Sequence, residues 1–164
     1  MMKATNCTFA AMKINIEQIR KTREYVMSIV KELSLEKLNI IPHGFNNNIL
    51  WNMGHLIAAQ QNICYLRGGL NPAIPEQKFT NFTSGSRPER FYESDEEDAV
   101  KEMLFSSLDL LVRDYQNNIF DTIVPFNTRY DVRINNIDDA IALLQFHEGL
   151  HTGIIFSMRR LVMK

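Results

Sequence analysis

An all-α four-helix bundle with long loops is the fold this sequence predicts, and three observations carry the prediction. Four long segments repeat apolar residues at spacings of three, four and seven, the period of a helix with one buried face. The stretches between them hold prolines and glycines that cannot continue a helix. Hydrophobic residues make up 45% and charged residues 23% of the 164 positions, enough to bury one real core in a chain short for two domains.

The first segment runs from about Ile14 to Leu33, with Ile16, Ile19, Val26, Val30 and Leu33 on its inward face. Residues 1–12 are polar and lack this period, so they read as a disordered extension, and residues 13–164 read as the domain. The second segment, about Asn47 to Arg67, stops at the pair Gly68-Gly69. The third opens with Ser94-Asp95-Glu96-Glu97, in which Ser94 and Glu97 have the spacing of a capping box and the acids favour a helix N-terminus. Its inward stripe is Val100, Leu104, Leu108, Leu111 and Tyr115. The fourth starts near Asn136, carries Asp138 and Asp139 in its first turn, and continues to the C-terminus.

The loops are long. Leu70 to Glu93 contains Pro72, Pro75, Gly85 and Pro88; Phe120 to Asn135 contains Pro125 and an alternating stretch, Tyr130 to Ile134, that reads as a short strand. Loops of this length at the ends of a bundle tend to shape the mouth of whatever the core holds.

Charge narrows the function. With 18 basic and 19 acidic residues the net charge is -1, and no basic stripe marks a nucleic-acid surface. The cations Arg159, Arg160 and Lys164 close the last helix, where they offset the negative end of its dipole. Two cysteines, Cys7 and Cys64, make no disulfide framework. No apolar run is long enough for a signal peptide or a membrane span, so a cytoplasmic protein without membrane contact is expected.

The histidines are the informative residues. His43, between Pro42 and Gly44, reads as a solvated loop residue. His147 and His151 stand four apart in the last helix, on one face, with both side chains able to grip one ion. The series Ala140, Leu144, His147, His151, Ile154, Met158 and Leu161 follows the inward seam of a bundle helix, which puts both imidazoles in an apolar stripe. Two buried imidazoles are costly unless something accepts their lone pairs. The pair alone is as compatible with hydrogen-bonded core histidines as with a metal.

The second helix supplies His55, on a face with Asn48, Asn52, Ala59 and Asn62 where leucines would ordinarily sit. The rest of that helix, with Ile49, Leu50, Met53, Leu56, Ile57 and Ile63, is too apolar for this to be a solvated face, so Asn48, Asn52 and Asn62 are read as lining a polar pocket. Residues 147–151 also match H-E-x-x-H, the helix of zinc proteases. The match lacks its context. Only 13 residues follow His151, none of them Asp, Glu or His, and Gly149 weakens the helix at the motif.

Three stretches resemble the DinB-like, or YfiT-like, family of metal-dependent proteins. Asn47 to Leu56 is similar to the family's second-helix motif, with Trp51 one turn before Gly54-His55-Leu56. Phe82 to Glu89, with Gly85 and Pro88, resembles the loop before the third helix. Leu144 to Leu161, with His147, His151, Gly153 and Arg160, resembles the last helix and its H-x-x-x-H-x-G pattern. The resemblance covers about Lys13 to the end. It implies an up-down-down-up bundle, often a homodimer, with His55, His147 and His151 as the ligands of one divalent metal ion. Many members have Gln after H-x-G; here Ile154 stands there.

Three neutral imidazoles leave a coordination position open on Zn, Ni, Fe or Mn, and open sites are the catalytic kind. Hydrolysis or thiol S-transfer on a small-molecule substrate is the expected chemistry, in keeping with the resemblance. Glu148 reads equally as a base or partner of the site, or as a polar contact between helices. The competing function is a non-catalytic, stress-response protein whose ion staples the bundle. Leu50, Ile57, Phe105 and Leu110 lie beyond one apolar stripe and suggest a homodimer.

Overall fold

The structure, a computed structural model, describes residues 2–164, with side chains from Met12 onward. The extension expected over residues 1–12 is helical from Met2 onward, as the start of α1. Met12, also assigned to it, is buried beside Ile16 and Ile19, so the core already begins there.

The chain is mostly helical. The helices are α1 (Met2–Val30), α2 (Leu35–Asn39), α3 (Ile49–Cys64), α4 (Ser94–Gln116) and α5 (Ile137–Val162). The long helix α1 packs on α4 and α5, and α3 packs on the same two. The second of the five was not expected. It forms because α1 ends at Val30, three residues before Leu33, and Ser34 caps a short new helix whose Leu38 is buried.

Other boundaries differ by one to three residues. Asn48 caps α3, which starts at Ile49: its Oδ1 accepts from Trp51 N at 2.7 Å. The helix yields at Cys64 to a 3-10 turn, Leu66–Gly68, closed by Gly69 at φ +78°. The capping pair of α4 is Glu93 and Glu96 instead of Ser94 and Glu97. Arg90 holds the Glu96 carboxylate at 2.7 Å with both nitrogens and aims it at Glu93 N, 3.0 Å away. The strand expected at Tyr130–Ile134 shrinks to β2 (Arg133–Ile134), paired antiparallel with β1 (Phe126–Asn127). Asp131, at φ +58°, turns the chain between them.

A polar layer divides the core. One apolar cluster holds Val26, Leu50, Leu56, Leu104 and Met158; the other holds Ile16, Ile19, Ile63, Leu108 and Leu144. At the divide each long helix contributes buried polar residues: Arg23 from α1, Gln60 from α3, Ser107 from α4, and His147, Glu148 and His151 from α5. Past that layer the inward seam of α5 shifts by one residue, to Ile155, Met158 and Val162. Ile154 is half-buried and Leu161 exposed, contrary to the stripe read from the sequence.

Candidate metal centre

His55 comes from α3, one turn after Trp51; His147 and His151 come from successive turns of α5. All three are buried, and their ring centroids stand 4.5 to 5.1 Å apart. The Trp51 ring stacks on His55 at 4.7 Å, and its Nε1 is fixed by the Asn81 carbonyl and Ser86 Oγ, each at 3.0 Å. The loop before α4 thus sets the tilt of the His55 ring.

Hydrogen bonds decide which nitrogen each ring offers. Nδ1 of His55 donates to the Phe82 carbonyl at 2.6 Å, which leaves Nε2 with its lone pair free. Nδ1 of His151 donates to Asn52 Oδ1 at 2.9 Å. The orientation of Asn52 is fixed in turn, because its Nδ2 donates to the Asn48 carbonyl at 2.8 Å. His147 differs: its Nδ1 is buried with no hydrogen-bond partner.

The site keeps its imidazoles uncharged. Burial, reinforced by His147 and His55, pushes His151 down to about 3; burial, reinforced by His55, pushes His147 down to about 4. Burial also lowers His55, against the pull of the Phe82 carbonyl. The Arg129 guanidinium pushes all three the same way. Neutral imidazoles are the form that binds metal.

The residues fit a metal ion. One ligand nitrogen from each histidine lies within 4.8 Å of the others. Two nitrogens sharing an ion at about 2.1 Å can stand at most about 4.2 Å apart, so a small rotation of the rings closes the set. The partnerless Nδ1 of His147 agrees, since a buried polar atom ordinarily finds a partner. The cluster of metal-ligating side chains contains three members among the described residues. A cavity of about 300 Å³ opens on His55 and His147, walled by Ala58, Ala59, Ile63, Leu143 and Phe146.

The expected pocket asparagines separate. Asn52 supports His151, Asn62 lines the cavity at an exposed position, and Asn48 is engaged in the α3 cap and the Asn39 carbonyl. Asn48 is thus a helix cap and not part of the cavity wall, because its side chain faces the start of its own helix.

Of the two readings of Glu148, the structure shows the contact between helices. Both its oxygens accept from Arg23, at 2.6 to 3.2 Å, and both residues are inside the core. Burial raises the Glu148 carboxyl while the guanidinium opposes it. Arg23 also donates to the carbonyls of Leu104 and Leu56 and to Ser107 Oγ, which donates to Gln60 Oε1. One side chain therefore ties all four long helices together beside the histidines. The sequence reading passed over Arg23. Its signal was the gap in the first helix, where a seam of Ile16, Ile19, Val26 and Val30 calls for a residue at position 23.

Comparison with known proteins extends this picture. A search of curated proteins finds no match. The crystal structure of a conserved protein from Enterococcus faecalis superposes with a TM-score of 0.63 at 15% identity, over 92% of this chain and 96% of that one. Likeness at that identity shows a shared fold. The sequence model of the DinB superfamily matches residues 18–155, which span the first histidine, the polar layer and the H-x-x-x-H pair. The chain belongs to the DinB superfamily.

Proposed function

We propose that this protein is a metal-dependent enzyme in which His55, His147 and His151 hold one divalent ion, and that it works on a small molecule by hydrolysis or thiol S-transfer. The observation that carries the reading is the cavity itself, open on a cluster that has three ligand side chains and no fourth among the described residues. A stapling ion would be enclosed by four protein ligands. The ion supplies Lewis acidity toward the nucleophile, water in one reaction and a thiol in the other.

The chain's own residues do the positioning. Phe82 and Asn52 hold His55 and His151 with Nε2 free, and the Arg23–Glu148 pair fixes α5 between them. The thiol of S-transfer has to come from outside the core, because burial pushes the Cys64 thiol up to about 12. Glu148 has no base role on this reading, since Arg23 occupies both oxygens.

The long helices, on this proposal, run up-down-down-up, and two chains pair. Leu50 and Ile57 are buried within one chain and cannot form that contact. Leu150 and Leu161 share an exposed face of α5 and are better placed. With no disulfide called for and Cys64 free, a cytoplasmic setting suits the chemistry. Among the described residues no helix is long and apolar enough to cross a membrane.

Metal analysis of the purified protein, joined to a screen of esters and thiol acceptors, tests the reading. One equivalent of divalent metal is expected, lost on His55→Ala, His147→Ala or His151→Ala and retained on His43→Ala. A His55→Ala protein that keeps its full equivalent would overturn the three-histidine site. Full metal with no turnover of either substrate class would favour the staple.

A further inference from the structure

The cavity over the histidines is lined by charge of one sign. Arg67 and Arg129 face it, and among the described residues no Asp or Glu does. Each arginine already makes one hydrogen bond and one ring contact. Arg67 donates to the Asn127 carbonyl and lies 4.7 Å from the Phe126 ring, so it braces the base of the β1–β2 hairpin. Arg129 donates to Tyr130 Oη at 3.1 Å and lies 5.1 Å from the Tyr130 ring, and neither arginine pairs with a carboxylate among the described residues.

The hairpin tip presents Arg129 from a closed turn. Thr128 is buried and its Oγ1 accepts from Tyr130 N at 3.2 Å and Val132 N at 3.1 Å, while Thr128 N donates to the Val132 carbonyl at 2.9 Å. The Tyr130 ring meets Phe146 of α5 edge-on at 5.6 Å, which ties the tip to the helix of His147.

Three neutral imidazoles leave the charge of a divalent ion uncompensated, and a guanidinium beside it adds to the excess. An anion neutralises both. The edge of the Arg129 guanidinium not bonded to Tyr130 matches one carboxylate in bidentate fashion. A dianionic phosphate would call on Arg67 as well, whose Nη2 is held by the Asn127 carbonyl.

We propose that the cavity binds a small monocarboxylate, its carboxylate on Arg129 and its apolar body against Ala58, Ala59, Ile63, Leu143 and Phe146. The proposal rests on the reading of His55, His147 and His151 as a metal site, and Arg129 is the residue that selects the charge of the substrate.

Calorimetric titration of the cobalt-loaded and metal-free protein with hexanoate, hexanamide and pentylphosphonate tests it. Hexanoate should bind the loaded protein about tenfold or more tightly than hexanamide, the margin of a charge-assisted bond. Arg129→Gln should abolish that preference without changing the cobalt content. Arg133→Gln, whose arginine bonds Asn127 Oδ1 outside the cavity, should preserve it. Equal binding of acid and amide, or a preference that survives Arg129→Gln, would overturn the proposal. Tighter binding of pentylphosphonate would overturn the carboxylate class. A protein that takes up no cobalt contradicts the metal reading instead, and the metal-free titration then still reports whether Arg129 selects carboxylate over amide.

Discussion

Asn52 Oδ1 stands 2.9 Å from Nδ1 of His151, across the contact between α3 and α5. The amide is held so that oxygen, not nitrogen, faces the ring, because Nδ2 is committed to the Asn48 carbonyl. Partners of this kind orient metal-binding imidazoles, and losing one typically weakens metal affinity by about 10- to 100-fold. Asn52→Ala should therefore bind metal about that much more weakly while keeping one equivalent at saturation. Competition with a chelator of known affinity measures it, and an unchanged affinity would show that His151 needs no such support.

Gly54 bears on the neighbouring ligand. A Cβ at this position would lie 2.4 Å from Cγ of Phe82, so the ring must move. Phe82 carries the carbonyl that accepts from His55. Gly54→Ala should thus cost about 1–3 kcal/mol of stability, the usual range for overpacking, and weaken metal binding as well. Urea unfolding and metal titration of the same variant check both parts. A loss of stability with intact metal affinity would separate Phe82's packing from its carbonyl.

The buried pair of Arg23 and Glu148 makes a prediction of opposite signs. Removing one partner strands a charge in the core, and Arg23→Ala should destabilise the fold by about 3–5 kcal/mol. Replacing both by apolar residues of similar size, Arg23→Met with Glu148→Leu, should recover much of that loss, less what the freed carbonyls of Leu56 and Leu104 cost. Denaturant unfolding of the single and double variants decides it. A double variant no better than Arg23→Ala would show that the backbone contacts, not the ion pair, dominate.

Acid should weaken the metal-free protein earlier than its carboxylates alone would dictate. Unfolded imidazoles take up protons near 6.5, whereas folded His147 and His151 do so only near about 4 and about 3. Between these values the unfolded chain binds more protons, so stability rises with pH and falls as pH drops below 6.5. Urea midpoints of metal-free protein should decline from about pH 7 to about pH 5. His147→Leu should flatten the slope. A flat profile in the unsubstituted protein would mean that the folded imidazoles are not shielded from protons.

What the sequence determined by itself was whatever depends on period and chemical type. The long helices follow from apolar spacing in one segment at a time, and His147 and His151 share a face because any helix puts residues four apart together. Short-range competition among neighbours moved the ends: Glu93 displaced Ser94 as the cap of α4 once Arg90 had steered Glu96. The tertiary structure decided what requires two helices at once. It placed His55 beside the other two imidazoles, gave Glu148 to Arg23 instead of to the site, and brought Arg129 from a distant hairpin to the cavity. The first two pairings join residues 92 and more positions apart, as His55 with His147 and Arg23 with Glu148. Periodicity carries no information at such range, because it fixes the face on which a side chain lies but not which neighbour meets that face.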